Sequence, residues 1–247
     1  MTGMHRPIVA FEQVSKAFGE KHVLRDVSFE VNAGEILCIL GRSGTGKSVT
    51  LKLLIALQRP DRGKIWIDDD DITSLDTAGL SRVRRKMGFL FQDAALFDDL
   101  TVYENLALPL ARLTGKPRQE IDIAVRNVLQ QVGLACDTKK KPSALSGGMR
   151  KRAGLARALI LNPRVLLADE PSSGLDRITA SEIDELLLRQ RNENNTTILV
   201  VTHDVPGARN IGDKFAVLDK GRMIAFGTVD EVESSENETA RRLISER

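Results

Sequence analysis

Eight consecutive residues, Gly41-Arg42-Ser43-Gly44-Thr45-Gly46-Lys47-Ser48, fit the pattern G-x-x-x-x-G-K-[ST]. Its glycines let backbone N–H groups curl around phosphate oxygens, the Lys47 ammonium can reach the β and γ phosphates, and the Ser48 hydroxyl can join the coordination of Mg²⁺. A second run, Val165-Leu166-Leu167-Ala168, ends in Asp169-Glu170. Carboxylates that follow a buried strand arrive at the edge of an α/β sheet where nucleotides bind. Asp169 there suits the metal; Glu170 suits a group that takes a proton from, or orients, the water attacking a γ-phosphate. The same two acids can instead cap a helix, although Pro171 and the separate phosphate loop weigh against that. His203 follows the apolar run Ile198–Val201 at the equivalent edge, where it can hydrogen-bond the γ-phosphate or the water; His5 and His22 have no such context.

Leu145-Ser146-Gly147-Gly148-Met149 is a second phosphate-seeking step, followed by the helix-forming run Arg150 to Leu161. It offers backbone N–H groups and the positive end of a helix. A mononucleotide has one set of terminal phosphates, so the second loop is expected to serve a nucleotide held by another copy of the chain.

The elements that must position these residues are an α/β set. Ile36–Leu40, directly before Gly41, is a continuous apolar run and predicts a doubly buried parallel strand. Met87–Phe91, Val165–Ala168, Ile198–Val201 and Phe215–Leu218 alternate with helical stretches, which predicts a mainly parallel sheet covered on both faces. Ile8–Phe11, Val27–Val31 and Lys64–Ile67 predict antiparallel β, and Val49–Leu57 a helix after the phosphate loop. Val102–Cys136 has helical period with Pro109, Gly115 and Pro117 as breakers and no strand candidate inside it, so an all-helical insertion is expected within about residues 100–160. A single domain of residues 1–247 ending in a short tail at about 235–247 is expected. Asp68–Asp71 is read as a turn rather than a metal site, because strand-like residues flank it. Lys139–Lys141 reads as a solvated loop, with no interleaved aromatics to stack on nucleic acid bases.

The 247 residues are 42% hydrophobic, enough for a substantial core, and 36 Lys and Arg against 34 Asp and Glu leave a net charge of +2. That balance gives no global attraction to nucleic acid or anionic lipid. No apolar run nears the roughly 20 residues that span a bilayer, and Met1–Ala10 has no secretory hydrophobic stretch, which predicts a cytoplasmic location. Cys38 and Cys136 match no metal spacing and are expected to be buried or half-buried thiols.

Taken in order, these motifs resemble the nucleotide-binding subunit of an ABC transporter over nearly the whole chain. The resemblance implies a P-loop NTPase core with a helical subdomain, ATP and Mg²⁺ as ligands, and a sandwich of two copies. It further implies a nucleotide-binding set running from Gly41 to Val49, Phe18 stacking on adenine, and Gln92 touching magnesium or water while sensing an integral membrane permease. Phe18 as an ordinary core aromatic and Gln92 as an ordinary strand-end residue remain alternatives. Ser146, Gly147 and Gly148 match the signature loop, Ser173-Gly174-Leu175-Asp176 the loop that crosses the dimer interface, and Glu170 and His203 the hydrolytic glutamate and the histidine. Met149 stands where the signature usually has Gln, and cannot supply a side-chain amide hydrogen bond.

Gly44–Val49, the Met-ended signature, Gln92-Asp93-Ala94-Ala95-Leu96-Phe97-Asp98-Asp99-Leu100 and Glu170–Asp176 are similar to the ATPases of Mce-type, or Mla, lipid transport systems. That similarity implies transport of phospholipid between bacterial membranes, a place on the cytoplasmic face of the inner membrane, an Mce-domain lipid-binding protein and in some systems a STAS-domain subunit. Nucleic acid is not among the expected partners. A soluble ABC ATPase acting in assembly, as in iron–sulfur cluster formation, is the alternative from a different class. Ala94–Phe97 is the candidate docking segment for the permease, against the alternative that Leu96 and Phe97 fill a junction between subdomains.

Overall fold

The computed structural model describes residues 7–245; His5 lies outside them. Two sheets carry the molecule. In the first, β1 (Val9–Phe18) and β2 (Lys21–Val31) form a long antiparallel hairpin. The second sheet begins with β3 (Ile36–Leu40), which runs into the Gly41–Ser48 loop and then α1 (Lys47–Leu54). β4 (Arg62–Ile67) and the two-residue β5 (Asp70–Asp71) complete the first sheet in the order β2-β1-β4-β5. Asp68 sits in the turn between these strands with φ 53°, a conformation Asp tolerates better than branched residues.

After α2 (Thr77–Arg84), β6 (Met87–Leu90) leads into α3 (Val102–Leu113) and α4 (Arg118–Gln131), with no strand before α5 (Gly147–Leu159). Pro109 lies inside α3 and Pro117 at the start of α4. β7 (Val165–Asp169), α6 (Arg177–Asn194), β8 (Thr197–Val201), α7 (Val205–Ile211), β9 (Lys214–Asp219) and β10 (Arg222–Gly227) finish the second sheet. Its order is β10-β9-β3-β8-β7-β6, parallel throughout except for the β9–β10 hairpin at one edge. Every residue of β3, β7 and β8 is buried, which is why those strands read as unbroken apolar runs rather than alternating ones.

Two short helices follow, α8 (Val229–Glu233) and α9 (Glu238–Ile244). From α9, Ala240 and Ile244 are buried in the core that also holds Val205, Ala208 and Ile211. The sheet divides the apolar interior into one core beneath the helical side and another shared with the antiparallel sheet. Cys38 is buried in β3 and burial pushes its thiol pKa up. Cys136 is exposed, contrary to expectation, because it falls in a turn beyond α4 rather than on that helix's apolar stripe.

Candidate functional site

Parallel pairing of β3, β8, β7 and β6, in that spatial order, lines up their C-terminal ends. Gly41 follows β3, Thr202 and His203 follow β8, Glu170 follows β7, and Gln92 follows β6. Residues from four distant stretches of sequence thereby share one edge, as open α/β sheets require of their ligand sites.

The loop from Gly41 to Ser48 is held from within. Thr45 Oγ1 donates to the Arg42 carbonyl at 2.9 Å, and the Lys47 ammonium donates to the carbonyls of Gly41 at 2.7 Å and Arg42 at 3.2 Å. Gly46 has φ 107°, and a Cβ there would lie 2.6 Å from Leu24 Cδ2 and 2.8 Å from the Val23 carbonyl. Only glycine lets β2 approach so closely. Lys47 is buried. Burial holds its pKa below the usual lysine value, against the opposing pull of Glu170 and Asp169. The Val49 side chain packs against the core beneath.

Ser48 Oγ donates to Asp169 Oδ1 at 3.0 Å. A hydroxyl and a carboxylate at this spacing are hard oxygen donors of the kind Mg²⁺ takes. Burial raises the Asp169 pKa; the Ser48 hydrogen bond counters this, while neighbouring Glu170 adds to it. Among the described residues no cluster of three or more His, Cys, Asp and Glu forms a metal cage, so an ion here would need phosphate or water to complete its shell.

Glu170 Oε2 lies 2.9 Å from His203 Nδ1 and accepts a hydrogen bond from Thr202 Oγ1 at 3.3 Å. Glu170 has φ 50°, a left-handed conformation costly for a residue with a side chain. Its amide donates to the Val201 carbonyl at 2.8 Å, which ties the strained residue to β8. The carboxylate is buried, whereas the His203 side chain is 70% exposed. A cleft of about 1270 Å³, bordered by Glu170, Ser173, Leu175 and His203, opens from this pair. A smaller cavity of about 270 Å³ lies between Gly41, Arg42 and His203 on one side and Thr239 and Arg242 of α9 on the other.

The Ser146-Gly147-Gly148 step lies elsewhere. Ser146 caps α5, accepting from the Met149 amide at 3.3 Å. Its neighbours are not the Gly41–Ser48 loop: a Cβ on Gly148 would lie 2.5 Å from Thr179 Cγ2, and one on Gly147 3.8 Å from Leu175 Cδ2. Ser146 and Gly147 are exposed, while the Met149 side chain packs inward against the core. The helix begins at Gly147, earlier than the run from Arg150 suggests, because the serine cap admits both glycines to the first turn.

Phe18 is 46% exposed at the tip of the β1–β2 hairpin, with the Lys16 ammonium 5.4 Å from its ring centroid, so it is not a core aromatic. Gln92 is exposed two residues past β6. Phe97 is 55% exposed, with the Arg157 guanidinium 6.0 Å from its ring. Leu96 packs partly against the core; the junction-filling alternative thus fits Leu96 and not Phe97.

Several site residues carried no motif. Arg157 donates to the carbonyls of Ala95 at 2.7 Å and Ala94 at 3.0 Å, holding two consecutive alanines at φ 48° and 58°. Asn105, fully buried, accepts from the Phe97 amide at 2.8 Å, and its Nδ2 lies 3.1 Å, 3.2 Å and 3.0 Å from the carbonyls of Phe97, Leu100 and Thr101. Lys151 is a cation on the buried face of α5, along with Gly148, Leu155 and Ala158. A charge at an apolar-face position was the one sequence signal that marked it.

The ABC transporter family profile matches residues 24–173, spanning the Gly41–Ser48 loop, the Ser146–Gly148 step and Asp169-Glu170. The chain belongs to the ABC transporter family. It carries that family's ATP-binding domain and is an ATPase. The probable ribonucleotide transport ATP-binding protein mkl of Mycobacterium leprae (strain TN) is 43% identical over 234 residues, 95% of this chain and 67% of that protein. The methionine import ATP-binding protein MetN of Caulobacter vibrioides is 40% identical over 242 residues, 97% of this chain and 73% of that protein. For an mkl protein of Mycobacterium tuberculosis the chain covers 65% of the relative's length, so this ABC ATPase spans about two thirds of such relatives. A dimeric ATP-binding cassette solved in a post-hydrolysis state with ADP and Pi superposes with TM-score 0.83 at 34% identity, covering 89% of this chain and 98% of that one. The structure of cbiO1 from Clostridium perfringens, part of an ABC transporter complex, gives TM-score 0.83 at 28% identity, covering 96% and 99%. Among the described residues no helix is long and apolar enough to cross a membrane.

Proposed function

We propose that this chain, a single ABC domain, hydrolyses ATP to drive an integral membrane permease that moves phospholipid between bacterial membranes. The observation that carries the hydrolytic part is the pairing of Ser48 with Asp169 and of Glu170 with His203 on adjoining strand ends. In this reading the amides of Gly41–Val49 and the Lys47 ammonium bind the phosphates, and the exposed Phe18 ring stacks on adenine. Ser48 and Asp169, with Gln92, would hold Mg²⁺, which when bound draws negative charge from the terminal phosphates. Glu170 takes the proton of the attacking water, and His203 fixes that carboxylate and reaches the γ-phosphate.

Exposed Ser146 and Gly147 close on the nucleotide of a second copy, so that two sites form at one dimer interface. ATP holds the copies together; loss of the γ-phosphate lets them part, and that opening and closing moves the permease. Exposed Phe97 and the clamped Ala94-Ala95 segment are the docking surface, which would place the chain at the cytoplasmic face of the inner membrane.

Support for a lipid cargo comes from the Met149 signature, the 92–100 segment and the 170–176 segment, which resemble Mce-type ATPases; an Mce-domain protein and a STAS-domain subunit are the partners this implies. The names of the relatives, ribonucleotide transport and methionine import, favour a second reading in which the cargo is a small polar solute. The test is to tag the chain, extract it from membranes in detergent, and identify the co-purifying membrane protein and bound small molecules by mass spectrometry. A phospholipid-loaded Mce-domain partner is expected. A methionine- or nucleotide-binding partner overturns the lipid reading, and recovery without any membrane protein overturns the transport reading.

A further inference from the structure

Lys151 is 7% exposed, projects from α5, and donates to the carbonyl of Glu170 at 2.6 Å and to Ser173 Oγ at 3.4 Å. Ser173 Oγ in turn donates to the same Glu170 carbonyl at 3.0 Å. Asp93, Glu170 and Asp169 act on the ammonium through space, and burial opposes them strongly enough to hold its pKa below the usual lysine value. A buried ammonium is costly unless its donors are used. Here two are spent on the backbone oxygen of one strained residue and on the segment that follows it.

We propose that Lys151 is the positioning residue for Glu170. It pins the Glu170 carbonyl, fixes the left-handed backbone that aims the carboxylate at Thr202 and His203, and makes that aim depend on where the signature helix sits. The geometry supports this because α5 carries Ser146 and Gly147 at its exposed start and Lys151 one turn later on its buried face. A displacement of the helix as its N-terminus engages a second copy would reach Glu170 through one side chain. The same ammonium also feels the charge of Asp93, next to Gln92 on the segment after β6. The inference rests on the reading of Glu170 as the group that handles the attacking water.

Single-turnover ATP hydrolysis, ATP affinity and melting temperature of the full chain, measured for Lys151→Met, Lys151→Gln, Glu170→Gln and the Lys151→Met/Glu170→Gln double variant, test it. Lys151→Met should slow hydrolysis about tenfold or more while ATP affinity stays within about twofold, and Lys151→Gln, which keeps a donor, should recover part of the loss. In the Glu170→Gln background, Lys151→Met should cost less than about twofold further, since both changes disable one unit. Native turnover in Lys151→Met beside a slow Glu170→Gln defeats the Lys151 role alone, as does a loss that multiplies in full in the double variant. Native turnover in Glu170→Gln defeats the Glu170 reading and the inference with it. Should Lys151→Met not fold, Lys151→Gln carries the same comparison.

Discussion

His203 Nδ1 lies 2.9 Å from Glu170 Oε2, and the two residues stand at the ends of neighbouring parallel strands, β8 and β7. The pair is asymmetric: a buried carboxylate meets an imidazole largely open to the cleft. Glu170→Gln keeps the shape and an acceptor oxygen for Thr202 but removes the proton acceptor. ATP hydrolysis should fall about a hundredfold or more with ATP still bound, and a dimer held by unspent ATP should accumulate. Phosphate release and light scattering with ATP and magnesium measure both; retained turnover would remove Glu170 from the mechanism.

Ser146→Arg places a bulky cation at the exposed cap of α5 without touching the Gly41–Ser48 loop. ATP affinity of the same chain should hold within about twofold while hydrolysis is lost, because the cap is proposed to complete the partner's site. Mixing this variant with Lys47→Ala chains should regenerate one intact composite site. Normal hydrolysis by Ser146→Arg alone would rule out the shared arrangement.

Phe97→Ala removes a ring that is 55% exposed. A core phenylalanine truncated to alanine costs about 3–5 kcal/mol, so an exposed one should leave the melting temperature nearly unchanged. Co-purification of the membrane protein should drop sharply instead. A large melting loss with association intact would return Phe97 to a packing role.

Asp184, on α6, has its pKa pushed up to about 7 by burial and then by the nearby Asp204 carboxylate. The folded chain therefore holds this proton at pH values where the unfolded chain has released it, and stability falls as pH rises from about 4 through 7. Asp184→Asn, which cannot ionise, should raise the melting temperature more at pH 8 than at pH 5. Equal gains at both pH values would show that ionisation of Asp184 is not what costs stability.

The sheet was legible because burial on both faces writes itself as unbroken apolar runs: Ile36–Leu40 and Val165–Ala168 match β3 and β7 closely. The loop at Gly41–Ser48 was legible because backbone curvature demands glycine at fixed spacing. What escaped was held by side chains reaching across sequence. Arg157 and Ala95 are 62 residues apart, and Lys151 and Glu170 are 19 apart, so no local pattern joins them. Strand β10 and helices α8 and α9 also went unread: they are short and half-exposed, and their periodicity is too brief to stand out. Cys136 was misread for a related reason, since its nearness to a helix end says nothing about which way a turn faces.

Asn105 has one further consequence. By bridging Phe97, Leu100 and Thr101 from inside α3, a single amide freezes the chain between the Gln92 end of the sheet and the helical region. Surfaces that must order themselves on contact surrender affinity in lost rotamer and backbone freedom, at about 0.5–1.5 kcal/mol for each immobilised side chain. Around Phe97 the backbone part of that ordering is already met by these hydrogen bonds, so a docking protein would be left with the exposed Phe97 ring to immobilise, and selectivity there would come more from fit than from mutual adjustment.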